Sequence, residues 1–112
     1  TLTYPVNGWE IEMGELCELG SQLRAHVVWF GEDVPMIIPA AKVCQQADIF
    51  ILVGSSLAVY PAAGLISYVH YDVPKYIIDP NIPDVGRIKN VTRVEERAGT
   101  GVPQLVERLM AV

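Results

Sequence analysis

A glycine and two serines follow an apolar segment near the middle of the chain and could bind a sugar or phosphate group. Residues 48–53 read Asp-Ile-Phe-Ile-Leu-Val, and Gly54, Ser55 and Ser56 come directly after them. A glycine lets a ligand approach the backbone closely, and serine hydroxyls can donate to ribose or phosphate oxygens. An ordinary turn between a strand and a helix explains the same residues equally well. The motif alone therefore leaves both interpretations open.

An acidic residue further along the chain favours the nucleotide interpretation. Asp79 follows the apolar residues Tyr-Ile-Ile and lies 25 residues after Gly54. In Rossmann-type units an acidic residue at about this offset ends the following strand and binds the ribose hydroxyls. The alternative is a turn-forming aspartate before Pro80. The chain has no Gly-x-Gly-x-x-Gly, so it lacks the standard dinucleotide fingerprint.

Four short apolar segments predict the strands that position these residues. The segment before Gly54 does not alternate between apolar and polar residues, which is typical of a parallel strand covered on both faces. The four predicted strands are residues 27–30, 48–53, 75–78 and 91–94. Because helical segments alternate with these strands, the sequence predicts an α/β fold: a partial, Rossmann-like parallel sheet with helices on both faces.

Three helices and one hairpin complete the predicted architecture. Apolar residues three or four apart predict a helix over residues 34–47, with Asp33 before its start; Pro39 predicts that this helix begins late or is distorted. Further helices are expected over residues 61–69 and after the Gly-Thr-Gly segment that ends at Gly101. Asn-Gly at residues 7 and 8 predicts a short hairpin between residues 2–4 and 9–11.

Composition excludes several kinds of partner. The 112 residues carry a net charge of −5, and the only tight basic group, Arg87 with Lys89, is too small to neutralise a nucleic-acid backbone. No apolar run approaches the roughly 20 residues that span a bilayer. The start of the sequence does not resemble a signal peptide, and Cys17 and Cys44 form no disulfide framework. We therefore expect a cytoplasmic protein with neither a nucleic-acid nor a membrane partner.

Neither histidine is placed to act in catalysis. His26 precedes a predicted strand and His70 ends a predicted helix, and no Ser, Cys or Asp is positioned to make either of them a base. Cys44 is expected to be a buried free thiol, and Cys17 lies outside any Cys-x-x-Cys motif. We predict no catalytic residue and no metal site in this chain.

Taken together, three stretches resemble the sirtuin (Sir2-like) family of NAD-dependent protein deacylases. They are Gly-Ser-Gln-Leu-Arg-Ala-His-Val-Val-Trp-Phe-Gly-Glu at residues 20–32, Gly-Ser-Ser-Leu-Ala-Val-Tyr-Pro-Ala-Ala at 54–63 and Ile-Ile-Asp-Pro at 77–80. The resemblance extends over about residues 20–111 and corresponds to the carboxy-terminal half of a sirtuin catalytic domain. It implies that residues 1–23 are the remnant of a small, normally zinc-binding module and its return linker. Residues 24–112 would belong to the Rossmann-like NAD-binding domain.

The resemblance also implies roles for individual residues. The NAD ribose and phosphate would lie at Gly54, Ser55 and Ser56, the adenosine ribose at Asp79, Pro80 and Asn81, and the adenine at the loop Ala98, Gly99 and Thr100. The acyl-lysine peptide would contact Val28, through its carbonyl, and Phe30, in the lysine tunnel. Strand pairing with Gly31 and Glu32 on one side and with Leu57, Ala58 and Val59 on the other would hold the peptide by β-augmentation.

Several family motifs have no counterpart in these residues. The Gly-Ala-Gly phosphate loop, the Thr-Gln-Asn segment and the His-Gly motif with the catalytic base would all lie before Thr1. The family places its last zinc cysteine directly before the glycine that begins the Gly-x-x-Leu-Arg segment, where this chain has Leu19. Cys17 is out of register, so we predict no zinc. Ala25, where the family usually has proline, is another departure.

The resemblance therefore predicts a carboxy-terminal portion of an NAD-dependent protein lysine deacylase that contributes cofactor and peptide contacts. The parent protein would be an enzyme, while the 112-residue chain alone would be inactive. A non-catalytic nucleotide- or peptide-binding α/β module is the alternative. Because the predicted sheet is partial, an apolar edge or face would lie open, and we expect possible self-association of the isolated chain.

Overall fold

The chain, described here as a computed structural model over residues 2–111, divides into two units. The first unit ends at Asp33 and the second begins at Val34. The boundary predicted after residue 23 lies inside the first unit. Each unit has its own internal organisation.

The second unit is an α/β unit built on a parallel sheet of three strands. Its elements in chain order are α1 (Ile37–Gln45), β1 (Phe50–Val53), a 3₁₀ helix (Ala62–Tyr68), β2 (Lys75–Ile78), β3 (Val91–Val94) and α2 (Ala98–Met110). The strand order is β1-β2-β3, and both neighbouring pairs are parallel. The prediction of a parallel sheet with alternating helices is therefore confirmed.

Apolar side chains on both faces of β2 anchor the packing of this unit. Successive side chains of a strand point to opposite faces, so Ile77 and Ile78 serve different layers. Ile77 forms a buried cluster with Ile66 of the 3₁₀ helix and with Val85. Ile78, which is fully buried, lies under α2 at Gly101. Helical elements thus cover both faces of the central strand.

The helices differ from the prediction in their ends and in one helix type. α1 begins at Ile37, so Pro39 lies in its first turn, where a missing N–H breaks no helical hydrogen bond. The late start is confirmed, but Met36 rather than Asp33 is the N-cap residue. The helix predicted at 61–69 is a 3₁₀ helix with Ala63 and Ile66 buried. Within the described residues, no helix is long and apolar enough to cross a membrane.

The hairpin predicted at residues 2–11 is wrong. The described part of the first unit has no strand pair there, and its one β-bridge joins Leu16 to Gln22 in antiparallel orientation. A tight turn closes this bridge: the Cys17 N–H donates to the Ser21 carbonyl at 2.8 Å. The Gln22 amide also accepts from the Gly14 N–H at 2.8 Å and donates to the Glu12 carbonyl at 3.1 Å. Side-chain bonds, rather than an Asn-Gly turn, organise this segment.

The strand predicted at residues 27–30 is also absent. Within the described part of the first unit, residues 2–33, these residues form no backbone ladder, because no neighbouring strand is present there to pair with them. A side-chain clamp holds the segment instead. The Glu32 carboxylate accepts from the Arg24 guanidinium at 3.0 Å and from the Trp29 N–H at 3.2 Å. This clamp shapes residues 29–32 into a turn.

Candidate functional site

The carboxyl ends of all three strands meet at one edge of the sheet. Val53, Ile78 and Val94 are register partners, so the three strands end level with one another. The Gly54 N–H donates to the Ile78 carbonyl at 3.0 Å, and the Asp79 N–H donates to the Val94 carbonyl at 3.2 Å. Gly54 and Asp79, which are far apart in sequence, therefore follow adjacent strand ends. Ligands of open α/β sheets bind at this kind of edge.

The turn after β1 needs glycine for its backbone conformation. Gly54 has φ of +62°, and a Cβ at this position would have no atom within 4 Å, so the surrounding space is open. The Ser55 hydroxyl oxygen accepts a hydrogen bond from the Leu57 N–H at 3.2 Å, which helps to hold Leu57 at φ of +53°. Ser56 is exposed. The Gly54 N–H is not available to a ligand, because it donates to the Ile78 carbonyl within the sheet.

Asp79 presents a carboxylate that is held from one side only. The side chain is half-buried, and its Oδ1 atom accepts the Asn81 N–H at 2.7 Å. Its Oδ2 atom has no hydrogen-bond partner within residues 2–111. Pro80 and Asn81, which follow Asp79, are exposed. The turn therefore fixes the aspartate and leaves acceptor capacity for an outside hydroxyl group.

Ala98, Gly99 and Thr100, predicted to lie in a loop, form the first turn of α2. The Thr100 N–H donates to the Arg97 carbonyl at 3.0 Å, and no side chain caps the helix. Helix geometry leaves the N–H groups of Ala98 and Gly99 without an intrahelical acceptor. Because β3 ends at Val94, this helix start lies just beyond the same sheet edge. Unpaired N–H groups at a helix start favour negatively charged groups.

Gly101 positions this helix start and was not among the predicted site residues. Gly101 is buried, and a Cβ added to it would lie 2.6 Å from Cγ2 of Ile78 and 3.3 Å from Cγ1 of Val94. The helix can approach the strand ends this closely only because residue 101 has no side chain. The Gly-Thr-Gly sequence was the available signal, since a glycine inside a helical pattern often marks close packing.

Leu57, Ala58 and Val59 border an apolar cavity next to the Gly-Ser-Ser turn. The cavity has a volume of about 290 Å³; Leu57 and Val59 line it together with Ser55, Ser56 and residues of β1 and the 3₁₀ helix. Ala58 is exposed, and its backbone N–H and carbonyl have no partner within residues 2–111. An extended peptide could therefore pair with this backbone.

The other predicted peptide contacts lie in the first unit. Phe30 is 92% exposed and Val28 is 49% exposed, so both side chains are open to a partner. Gly31 has φ of +87°, which fits the turn that the Glu32 clamp closes. The Glu32 N–H is already used, because it donates to the Trp29 carbonyl at 3.1 Å.

The remaining titratable candidates do not form a catalytic group in the described structure. His26 and His70 are exposed, and the His70 imidazole lies beside its neighbours Tyr71 and Asp72, with 3.7 Å between Nδ1 of His70 and Oδ2 of Asp72. Cys17 is half-buried; backbone N–H groups of Ser21 and Leu19 that bond to its sulfur lower the pKa of the thiol. No group of three or more His, Cys, Asp and Glu residues within residues 2–111 could hold a metal ion. The absence of zinc remains a prediction.

A parallel α/β sheet whose carboxyl edge gathers a glycine turn, serine hydroxyls, an aspartate and a helix start is typical of nucleotide-binding domains. Comparison with known proteins gives the family: the Sir2 family model matches residues 6–61. The chain belongs to the Sir2 family.

Relatives with curated names agree with this assignment. The chain is 41% identical, over 102 residues, to an NAD-dependent protein deacylase of Bacteroides thetaiotaomicron, and the match covers 91% of this chain and 44% of the relative. It is 38% identical over 104 residues to an NAD-dependent protein deacylase of Helicobacter pylori, with 91% and 45% covered. The chain therefore spans less than half the length of these relatives.

Solved structures of Sir2 proteins share the fold. A Sir2 homologue in complex with NAD matches with a TM-score of 0.75 at 31% identity, over 87% of this chain and 39% of that one. A mutant Sir2 homologue in complex with ADP-ribose matches with a TM-score of 0.78 at 30% identity, covering 91% and 42%. Sir2Tm bound to a propionylated peptide matches with a TM-score of 0.64 at 27% identity, covering 87% and 40%.

Proposed function

We propose that this chain supplies the NAD ribose and adenine contacts, and part of the acyl-lysine peptide contacts, of an NAD-dependent protein lysine deacylase. The observation that carries the proposal is the convergence of Gly54, Asp79 and the start of α2 at the carboxyl edge of the sheet. Two findings support it: the relatives are named NAD-dependent protein deacylases, and structural neighbours were solved with NAD or ADP-ribose.

The donors and acceptors at this edge fit the polar groups of the cofactor. The unpartnered oxygen of Asp79 can accept a hydrogen bond from a ribose hydroxyl, and the open space at Gly54 admits a ligand close to the backbone. Ser55, Ser56 and the helix start at Ala98 can donate to ribose or phosphate oxygens. When bound, NAD supplies the ADP-ribosyl group that receives the acyl group from lysine.

The peptide is proposed to bind by backbone pairing at Leu57–Val59 and at Gly31–Glu32. The unpaired backbone groups of Ala58 support the first contact, and the large exposed area of Phe30 supports its role in holding the lysine chain. A structural neighbour bound to a propionylated peptide supports an acylated substrate. Backbone recognition suits an enzyme that accepts many sequences around one lysine.

The cofactor proposal is tested by a matched pair of aspartate substitutions. Asp79 and Asp84 each accept a backbone N–H two residues later through Oδ1, at 2.7 and 2.8 Å. An asparagine side chain can accept the same hydrogen bond at either turn. The two substitutions therefore differ mainly in that only Asp79→Asn removes a carboxylate from the end of a strand. We expect Asp79→Asn to weaken ADP-ribose binding about 10- to 100-fold, because a hydrogen bond to a charged group contributes about 1.5–3 kcal/mol.

Calorimetric titration of ADP-ribose into the full-length protein and both variants gives the measurement. Asp84→Asn is expected to bind ADP-ribose within about twofold of the parent, since Asp84, unlike Asp79, does not directly follow a strand end. If the Asp79→Asn variant binds ADP-ribose as tightly as the parent, Asp79 does not contribute to the cofactor site.

Three further expectations concern the setting of the chain. We propose that it has no nucleic-acid or membrane partner, in keeping with its net charge of −5, and that it acts in the cytoplasm, where its free cysteines stay reduced. We also propose that the isolated chain self-associates through β1, because Ile49, Ile51 and Val53 are 44%, 42% and 40% exposed. Sedimentation velocity should show species that grow with concentration; a monomer throughout would contradict this.

A further inference from the structure

A second cavity lies at the opposite, amino edge of the sheet. Lys75 is the first residue of β2, and the loop with Arg87 and Lys89 precedes β3, so the cavity lies far along the strands from Gly54 and Asp79. Its volume is about 400 Å³. The lining includes these three cations and no acidic residue, and Val69, Tyr71 and Ile88 supply apolar walls. The cavity is therefore both basic and partly apolar.

Lys75 brings a buried positive charge to this cavity. The residue is 1% exposed, and its ammonium donates to the His70 carbonyl at 2.8 Å and to the Val73 carbonyl at 2.9 Å. An ammonium has three N–H donors, and the third has no partner within residues 2–111. No carboxylate of the described chain lies within ion-pair distance of it. Carbonyl dipoles alone offset a charge that is costly to bury.

Arg87 and Lys89 add two cations that the packing does not require. Both residues are exposed, and within residues 2–111 neither forms an ion pair. The chain has eight Lys and Arg residues and a net charge of −5, so three cations around one cavity run against its overall charge. Capping of the turn carbonyls accounts for Lys75 but not for the two others. An anionic ligand would account for all three.

We propose that this cavity binds a phosphate monoester attached to an apolar group. A phosphate monoester carries about −1.5 to −2 charges at pH 7, which matches three cations better than a single carboxylate does. The planar guanidinium of Arg87 suits two-point contact with phosphate oxygens. The apolar walls at Val69 and Ile88 would contact the rest of the ligand. Because the site lies at the amino edge, it can be filled while the carboxyl edge holds a nucleotide.

Phenyl phosphate is a suitable probe, with benzoate and phenol as controls for charge and for the ring. Titration into the full-length protein at low ionic strength should show phenyl phosphate binding at least tenfold more tightly than benzoate, and no saturable binding of phenol. Saturation of the protein with ADP-ribose should leave phenyl phosphate binding unchanged within twofold. Displacement by ADP-ribose would place the phosphate at the nucleotide edge and overturn the proposal, as would equal affinity for benzoate.

A charge-matched pair of double variants tests the location. Arg87→Gln with Lys89→Gln should weaken phenyl phosphate binding at least tenfold and should fold normally, because both side chains are exposed. Lys42→Gln with Arg93→Gln removes the same charge from exposed positions outside the cavity lining. This control should change binding less than twofold. Equal losses in the two double variants would show attraction by net charge alone and would overturn the proposal.

Discussion

The close approach of α2 to the sheet depends on one missing side chain, and a matched pair of glycine substitutions can measure its effect. A Cβ at Gly101 would lie 2.6 Å from Cγ2 of Ile78, whereas a Cβ at Gly99, two residues earlier in the same helix, would meet nothing within 4 Å. Both glycines lie inside α2. Gly101→Ala and Gly99→Ala therefore make the same chemical change, and only one of them is opposed by packing.

The expected magnitudes follow from these distances. Carbon atoms pack best at about 3.5–4.0 Å, so Ile78 or the helix must move by about 1 Å to admit the new methyl group. Ile78 is fully buried and β-branched, which restricts its χ1 angle and prevents easy relief. Overpacking of this kind costs about 1–3 kcal/mol, and the helical gain of alanine over glycine offsets about 0.5–1 kcal/mol. We expect Gly101→Ala to lower the free energy of unfolding by about 1–2 kcal/mol and Gly99→Ala to raise it slightly.

Urea unfolding followed by far-UV circular dichroism measures this difference. Tryptophan fluorescence is unsuitable, because Trp9 and Trp29, the two tryptophans of the chain, both lie in the first unit. In an Ile78→Ala background the Cγ2 atom is gone, and the penalty of Gly101→Ala should largely disappear, giving a coupling energy of about 1–2 kcal/mol. A Gly101→Ala variant as stable as the Gly99→Ala variant would refute this account of the packing.

Three other predictions concern a turn, a thiol and turnover. Asn90 has φ of +56° and donates to the Tyr71 carbonyl at 3.0 Å, so Asn90→Ala should destabilise by about 1–2 kcal/mol and Asn90→Gly by less, as measured by urea unfolding. The lowered pKa of Cys17 raises the fraction of its thiol that is ionised. In a Cys44→Ala variant, the rate of Cys17 alkylation should therefore reach half its maximum at a lower pH in the folded protein than in denaturant. Identical pH profiles in the two states would contradict this. The 112-residue chain with NAD and an acetyl-lysine peptide should release no nicotinamide above background; release would show a base within these residues.

The elements of the sheet could be predicted because each one has its own local signal. β2 and β3 are short segments with β-branched residues, β2 lies between Pro74 and Asp79, and the structure has both strands at the predicted residues. The start of α1 followed from Pro39, which tolerates only the first helical turn. The offset between Gly54 and Asp79 likewise indicated adjacent strand ends, because a glycine turn and an aspartate each follow a predicted strand. Local chemistry and chain order were sufficient for these features.

The features that were missed depend on partners distant in sequence. Residues 27–30 have the composition of a strand, but a strand also needs a neighbour, and residues 2–33 of the first unit provide none. The pairing of Leu16 with Gln22 depends on amide bonds from Gln22 to the backbone, which have no periodic pattern to reveal them. The close approach of the α2 start to Ile78 depends on the missing side chain of Gly101. Composition could not report these contacts.

Lys75 illustrates how the structure changes the meaning of a sequence signal. In the sequence it is an ordinary polar residue at the start of a strand, and Arg87 with Lys89 is a basic pair too small for a nucleic acid. Parallel pairing places the start of β2 beside the start of β3, with Lys75 opposite Val91 in register. The loop before β3 therefore brings its two cations to the cavity where Lys75 is buried. Because the strands are parallel, residues that follow them, such as Gly54 and Asp79, lie at the carboxyl edge of the sheet, and residues that precede them lie at the amino edge. A single sheet thus separates the proposed nucleotide site at its carboxyl edge from the basic cavity at its amino edge.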